Sequence, residues 1–137
     1  MHFEFNIESG DFTNAGSTSS AIKKILKQLN VDPIIIKRTV VALYEAEVNI
    51  VAHAYRGKIF VDIEEDAIFI RLVDEGPGIP DIEKAMEIGY STATQSVREM
   101  GFGAGMGLPN IKNNTDKLTI TSKVGEGTIL EIYNKLQ

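Results

Sequence analysis

The longest regular pattern in the sequence is a helix predicted to run over residues 33–55. Asp32 can cap its first turn, Pro33 suits the first helical position, and Gly57 follows the predicted end. Apolar side chains cover most of the circumference: Ile36, Val40, Leu43, Tyr44, Val48, Ile50 and Val51. Such a helix has to be buried on most sides, so the rest of the chain must pack around it.

Short strand patterns lie on both sides of this helix. They cover residues 2–8, 58–64, 67–74, 117–123 and 128–134. An acidic turn at residues 64–66 joins the second and third strands, and a glycine turn at 125–127 joins the fourth and fifth. Because each pair is adjacent in sequence, we expect two antiparallel hairpins.

Three further helices complete the pattern. Residues 21–30 have apolar side chains at helical spacing after a polar stretch, and residues 81–88 and 108–114 fit shorter helices. No repeat, linker or low-complexity segment divides the chain. Residues 1–137 are therefore predicted to form a single α+β domain, a two-layer sandwich with helices on one face of a mixed, mostly antiparallel sheet.

Composition excludes several classes of function. The 137 residues include no cysteine and two histidines, so disulfides and thiolate chemistry are excluded and a zinc site is disfavoured. A formal net charge of −5 argues against nucleic acid or an anionic membrane as partner. Neither a membrane-spanning stretch nor a secretory signal is visible, so we expect a cytoplasmic protein.

A polar stripe interrupts the apolar surface of the long helix. Glu45, Asn49 and His53 are spaced four residues apart and therefore project from one face. One interpretation is that they are only the solvated edge of the helix. The other is a site in which Asn49 offers its carbonyl oxygen to Mg²⁺ and Glu45 accepts a proton from a hydroxyl group or water.

The first of two glycine motifs, Asp-Glu-Gly-Pro-Gly at residues 74–78, directly follows a predicted strand. A carboxylate such as Asp74 can accept a hydrogen bond from the amino group of adenine. Gly76 and Gly78 would let a flat ligand approach the backbone. An ordinary acidic turn is the alternative interpretation.

The second glycine motif, residues 101–108, has four alternating glycines ahead of a predicted helix. Exposed backbone N–H groups at a helix N-terminus suit a phosphate, although a flexible hinge is an alternative. The motif lacks the features of a dinucleotide fingerprint or a Walker loop. Residues 89–107 are also long enough to predict a lid or binding loop.

In order and spacing, these motifs resemble the GHKL ATPase superfamily. Residues 45–49 resemble its N box, residues 74–78 and 103–108 its two glycine boxes, and residues 125–128 its terminal G-x-G-T element. The small size and the sequences around these boxes resemble the bacterial anti-sigma-factor serine/threonine kinases and the related switch kinases of stress-signalling complexes.

This resemblance implies a Bergerat-type ATP-binding fold that uses ATP and Mg²⁺. Asn49 would coordinate Mg²⁺, Glu45 would be the catalytic base, and Asp74 would recognise adenine with support from Thr128. The other cofactor-binding residues it implies are His53, Gly76, Gly78, Gly103, Gly105, Gly107 and Leu108. Residues 93–100 are longer than the shortest lids of the family, so lid contacts, including one by Arg98, do not carry over.

The implied activity is transfer of phosphate from MgATP to a serine or threonine of a small STAS-type antagonist protein. The alternative is a nucleotide-dependent binding module that sequesters a sigma factor or activates a phosphatase. Plain ATP hydrolysis is less favoured, because no domain that would use it is visible. No direct contact with nucleic acid or membrane is expected, and the choice between monomer and homodimer stays open.

Overall fold

The computed structural model describes residues 1–87 and 107–137 of the chain. Its elements follow in the order β1 (His2–Glu8), α1 (Ser17–Gln28), α2 (Pro33–His53), β2 (Arg56–Ile63), β3 (Ala67–Glu75), α3 (Ile82–Ala85), α4 (Gly107–Asn113), β4 (Lys117–Lys123) and β5 (Gly127–Lys135). The α+β class and both hairpins are confirmed. No helix in these two ranges is long and apolar enough to cross a bilayer.

The five strands form one sheet in the order β1-β2-β3-β5-β4, and every pairing among them is antiparallel. The strand order could not be predicted from the sequence, because β5 inserts between β3 and its own hairpin partner β4. Consequently the last residues of β3 lie beside the first residues of β5, and Asp74 pairs with Thr128.

One face of the sheet and the helices enclose the hydrophobic core. Side chains alternate along β3, where Ile70 and Leu72 are buried and Arg71 between them is exposed. The largest fully buried apolar side chains come from both layers: Ile22, Leu26, Leu43, Ile59, Val61, Ile68, Ile70, Leu72, Ile111 and Ile132. Helix α2 packs on the sheet and has α1 and α4 on its other sides.

The predicted end of the long helix is wrong by two residues. Helix α2 ends at His53, and Ala54 is already extended, with φ −91° and ψ 170°. Gly57 does not end the helix but lies in β2, paired with Ile7 on one side and Asp74 on the other. The chain thus passes from α2 into the sheet almost without a loop.

The predicted start of α1 is also wrong, because the helix begins at Ser17 and not at residue 21. Its first turn is capped by the carboxylate of Glu47 in α2, which is 1% exposed. Glu47 Oε2 accepts the backbone N–H groups of Gly16 at 3.0 Å and Thr18 at 3.3 Å. Its Oε1 accepts the N–H of Ser19 at 3.2 Å and the Ser19 hydroxyl at 2.7 Å.

Glu47 therefore supplies from another helix what an N-cap side chain normally supplies locally. The N-cap residue itself, Gly16, has no side chain that could do so. The carboxylate also faces the positive end of the α1 dipole. This contact fixes α1 against α2.

Glu47→Gln is expected to destabilise the fold by about 2–3 kcal/mol, because a buried group of four charge-assisted hydrogen bonds loses its charge. Urea unfolding followed by circular dichroism measures the effect. Glu65→Gln makes the same chemical change in the exposed turn between β2 and β3, and should alter the unfolding free energy by less than about 0.5 kcal/mol. Equal stability of the two variants would contradict the capping role of Glu47.

Candidate functional site

The polar stripe of α2 lies partly under α4. Glu45 Oε1 accepts a hydrogen bond from Asn110 Nδ2 of α4 at 3.4 Å. A Cβ atom on Gly107, the first residue of α4, would lie 2.9 Å from Asn49 Oδ1. With glycine at 107, α4 begins directly against the Asn49 amide, and any larger residue there would need the Asn49 side chain to shift. Glu45 and Asn49 are consequently half-buried.

The Asn49 side chain makes no hydrogen bond with any described residue, although it is partly buried. Its carbonyl oxygen is a hard donor of the kind that Mg²⁺ prefers. Mg²⁺ usually keeps few protein ligands and completes its shell with water and phosphate oxygens. Within residues 1–87 and 107–137 no three His, Cys, Asp or Glu side chains converge as an all-protein metal site. The donors present fit a nucleotide-bound Mg²⁺.

The environment of Glu45 suits a general base. Burial raises the pKa of its carboxyl group above the usual value, and the hydrogen bond from Asn110 opposes this rise. A carboxylate with a raised pKa takes up a proton more readily from a hydroxyl group. Asn110 was not predicted from the sequence, because nothing in its local pattern shows that α4 crosses α2 at Glu45.

His53 closes the stripe as the last residue of α2. Burial lowers the pKa of its imidazole below the usual 6.5, so the ring is neutral at pH 7. A neutral ring can donate from one nitrogen and accept at the other. His53 is half-buried, next to the point where α2 meets the sheet.

A second polar cluster lies where β3 ends beside the start of β5. Asp74 Oδ1 accepts the backbone N–H of Thr128 at 3.1 Å, and Thr128 is buried. Burial raises the pKa of the Asp74 carboxyl group, and this hydrogen bond opposes the rise. Asp74 Oδ2 has no hydrogen-bond partner in the part of the chain that the structure describes. It can therefore accept a hydrogen bond from a ligand amino group.

Ser122 of β4 is part of this cluster and was also missed from the sequence. Its Oγ lies 2.9 Å from Thr128 Oγ1, accepts the N–H of Ile79 at 2.7 Å, and lies 3.0 Å from the carbonyl oxygen of Gly127. Ser122 lies opposite Thr128 in the β4–β5 ladder. The alternation of β4 could have placed Ser122 on the inner face, but its partners depend on the strand order.

The first glycine motif is a loop packed against the β4–β5 turn. The N–H of Gly76 donates to the carbonyl oxygen of Glu126 at 3.1 Å, and the N–H of Gly125 donates to that of Pro77 at 2.9 Å. Gly78 has a positive φ of 76°, and a Cβ atom there would lie 2.5 Å from the carbonyl oxygen of Lys123. Only glycine fits this position.

The end of α2 connects the two clusters. The N–H of Tyr55 donates to the carbonyl oxygen of Glu75 at 2.7 Å, and Gly76 lies directly against Ala54. Ala54 follows Asn49 by five residues, or about 7.5 Å along a helix axis. The structure thus brings Glu45, Asn49, His53, Asp74, Gly76, Gly78, Gly107 and Thr128 to one side of the domain, along the C-terminal half of α2.

Three predicted features are not among the site residues that the structure brings together. Leu108 is 9% exposed and packs in the core, so its contact with a cofactor stays a prediction. Gly103 and Gly105 lie outside the described residues, as do Arg98 and nearly all of the predicted lid.

A family of protein domains shares this sequence pattern over most of the chain. The family described as the histidine kinase-like ATPase domain matches residues 10–133. The chain belongs to this family. The resemblance inferred from the four motifs is thereby confirmed.

Two kinds of named relatives are similar to this chain in sequence. The serine/threonine-protein kinase RsbT of Bacillus subtilis is 34% identical over 119 residues, covering 84% of each chain. The anti-sigma F factor of Geobacillus kaustophilus is 31% identical over 134 residues, covering 93% of this chain and 86% of the relative. The anti-sigma F factor of Caldanaerobacter subterraneus subsp. tengcongensis is 35% identical over 96 residues, covering 66% and 64%.

A solved structure supports the fold of this ATPase domain. It contains the RsbU and RsbW domains of a Mycobacterium tuberculosis protein and superimposes with a TM-score of 0.63 at 15% identity. The match covers 98% of this chain and 32% of the other. At this identity the likeness concerns the fold alone, and it confirms the α+β architecture.

Asn110→Ala is expected to raise the pKa of the Glu45 carboxyl group further, because it removes the hydrogen bond that opposes the effect of burial. The measurement is an NMR titration of the Glu45 carboxyl carbon in both proteins. Asn113→Ala, which removes an exposed amide from the same helix, should leave the Glu45 titration unchanged. A wild-type pKa at or below the usual 4.5, or the same pKa in Asn110→Ala, would contradict this account of the site.

Proposed function

We propose that the protein is an ATP-dependent serine/threonine kinase that phosphorylates a small STAS-type antagonist protein in the regulation of a bacterial sigma factor. The observation that carries the proposal is the half-buried face formed by Glu45 and Asn49 beneath Gly107. It supports a base and a metal ligand side by side, in a family of ATPase domains. One relative is named a serine/threonine-protein kinase and others are named anti-sigma F factors.

In the proposed complex the adenine ring binds at the end of β3. Asp74 Oδ2 accepts a hydrogen bond from the exocyclic amino group, while Oδ1 stays bonded to the N–H of Thr128. Ser122 holds Thr128 in place from β4. Gly76 and Gly78 lack side chains that would separate the ring from the backbone.

The phosphates then extend along α2 toward α4. Asn49 would hold Mg²⁺ through its amide oxygen, and Gly107, together with Gly103 and Gly105, would contact the phosphates. Held by Asn49, the metal ion would supply positive charge that stabilises the negative charge developing during transfer. Its other ligands would be water and phosphate oxygens.

Glu45 would act on the hydroxyl group of the acceptor protein. As the serine or threonine oxygen bonds to the γ-phosphorus, its proton passes to the Glu45 carboxylate. The bond between the γ-phosphorus and the bridging oxygen breaks, and ADP leaves with that oxygen. Positioning and charge stabilisation supply most of the catalysis, and Glu45 adds the proton transfer.

A nucleotide-dependent binding module is the second candidate, and the relatives named anti-sigma F factors favour it specifically. In this case ATP or ADP would change the affinity for a sigma factor or a phosphatase, without transfer of phosphate. Transfer of labelled γ-phosphate to a co-purified partner supports the kinase. A stable complex that responds to nucleotide without labelling supports the module. Homodimer formation and a cytoplasmic location stay predictions.

Glu45→Ala is expected to keep its affinity for MgATP within about threefold but to lose roughly 10²–10⁴-fold in phosphate transfer, because only the proton acceptor is removed. Calorimetry gives the affinity, and transfer of labelled γ-phosphate to the partner gives the rate. Glu65→Ala, in the exposed β2–β3 turn, serves as the control. Unchanged transfer by Glu45→Ala would remove Glu45 from the reaction.

Asp74→Asn is expected to bind ATP about 10–100-fold more weakly, because a charged hydrogen-bond acceptor for adenine becomes a neutral amide. Asn113→Ala, which changes an exposed residue at the C-terminal end of α4, should bind ATP as the wild type does. Equal affinities for ATP in the wild type and Asp74→Asn would remove Asp74 from the site.

The same Asp74→Asn substitution should change the pH dependence of stability without nucleotide. Because burial raises the pKa of Asp74 in the folded state, the wild type loses stability as the pH rises from the usual 3.8 to that raised pKa. Asp74→Asn lacks this loss, so its unfolding free energy relative to the wild type should increase with pH. Urea unfolding at several pH values measures it, and a relative stability that falls with pH would contradict the sign.

A further inference from the structure

An open groove of about 820 Å³ lies between the N-terminal half of α2 and the facing side of α1. Its size is within the usual range of ligand and peptide clefts, roughly 300–1,000 Å³. The residues that line it are Lys23, Lys27, Asn30, Val31, Pro33, Ile36, Lys37, Val40 and Val41. We call this feature the α1–α2 groove.

The floor of the α1–α2 groove is apolar. Ile36 and Val40 are one turn apart on α2 and belong to the hydrophobic core or pack against it, so the floor is the outer side of that core. Val41 and Val31 are partly exposed and extend the apolar surface to either side. An apolar floor of this kind gains most from apolar side chains that a partner can insert.

The rim of the groove is basic. Lys23 and Lys27 are one turn apart on α1, and Lys37 faces them from α2. All three are exposed, and none forms an ion pair or hydrogen bond with the residues that the structure describes. The chain as a whole is acidic, with a net charge of −5. The positive charge of these three lysines around the apolar floor is therefore opposite in sign to the net charge of the chain.

The groove is separate from the candidate nucleotide site. Lys37 precedes Asn49 by twelve residues on the same helix, or about 18 Å along its axis, and Val41, the groove residue nearest the site along α2, precedes Glu45 by one turn, or about 6 Å. The groove thus occupies the N-terminal half of α2 and the site its C-terminal half, with no residue in common. A partner in the groove and a nucleotide at the site would not compete for the same residues.

We propose that the α1–α2 groove docks an acidic amphipathic helix of a partner protein. Apolar side chains at positions i, i+3, i+4 and i+7 of such a helix would cover the floor, as in other helix-in-groove complexes. Carboxylates on both sides of this apolar stripe would meet Lys23 and Lys27 on one rim and Lys37 on the other. A nucleic acid fits less well, because it offers phosphates for the lysines but no apolar face for the floor.

A display experiment on the full chain tests the proposal before any partner has been identified. Random 16-residue peptides on phage are selected against the wild type, and the enriched peptides are synthesised with a fluorescent label. Their affinities are then measured by anisotropy. We expect acidic sequences with apolar residues at helical spacing, and binding that weakens as salt is added, because the rim contacts are exposed charges.

Two triple variants with the same change in charge distinguish peptide binding in the groove from peptide binding elsewhere on the surface. K23Q/K27Q/K37Q removes the rim, and K24Q/K58Q/K117Q removes three exposed lysines that do not line the groove. The rim variant should bind the selected peptides at least about tenfold more weakly, which corresponds to about 1.4 kcal/mol. The control variant should bind within twofold of the wild type.

Several outcomes would overturn the proposal: no enriched peptide, enriched peptides that are neither acidic nor amphipathic, or equal binding to both triple variants. A labelled 20-nucleotide single strand that binds the wild type and not the rim variant would assign the groove to nucleic acid instead. Val41→Ser tests the floor, and should weaken peptide binding without a change of charge. ATP affinity should be equal in the wild type and both triple variants, so failure of this proposal is distinguishable from failure of the proposed kinase.

Discussion

The burial of α2 between the sheet, α1 and α4 is the constraint on which the other features depend. One side of the helix enters the core through side chains such as Leu43 and Ile50. A second side carries Glu47, whose buried carboxylate caps α1. A third side carries Glu45 and Asn49, which α4 covers in part. The same helix therefore carries the core contacts, the cap of α1 and part of the candidate site. The relative positions of these three features are fixed by α2.

Elements whose pattern is local could be predicted from the sequence. The bounds of β1 and β4 are as predicted, because strict alternation marks a half-buried strand. The start of α1 could not be predicted, since its cap comes from Glu47, far along the chain. Asn49 and Asp74 lie in recognisable motifs, so the sequence could indicate them as site residues. Asn110 and Ser122 could not be predicted, because they take part only through the packing of α4 and the strand order.

Two different surfaces lie on the two halves of α2. The C-terminal half faces the polar groups proposed to bind nucleotide, and the N-terminal half forms the α1–α2 groove with its basic rim. A docking surface that shares no residue with the proposed nucleotide site would allow partner affinity and phosphate transfer to be adjusted independently. Helix α2 offers such an arrangement, because it connects the two surfaces directly through one continuous backbone.

In the proposed function, Asn49 and the end of β3 belong to one nucleotide site. The most direct test is calorimetric titration of the wild type and Asn49→Ala with ATP, with and without Mg²⁺. The wild type should bind ATP, and Mg²⁺ should strengthen that binding, whereas Asn49→Ala should bind ATP weakly and gain little from Mg²⁺. No binding by the wild type at millimolar ATP, or an equal gain from Mg²⁺ in both proteins, would contradict a nucleotide site that includes Asn49.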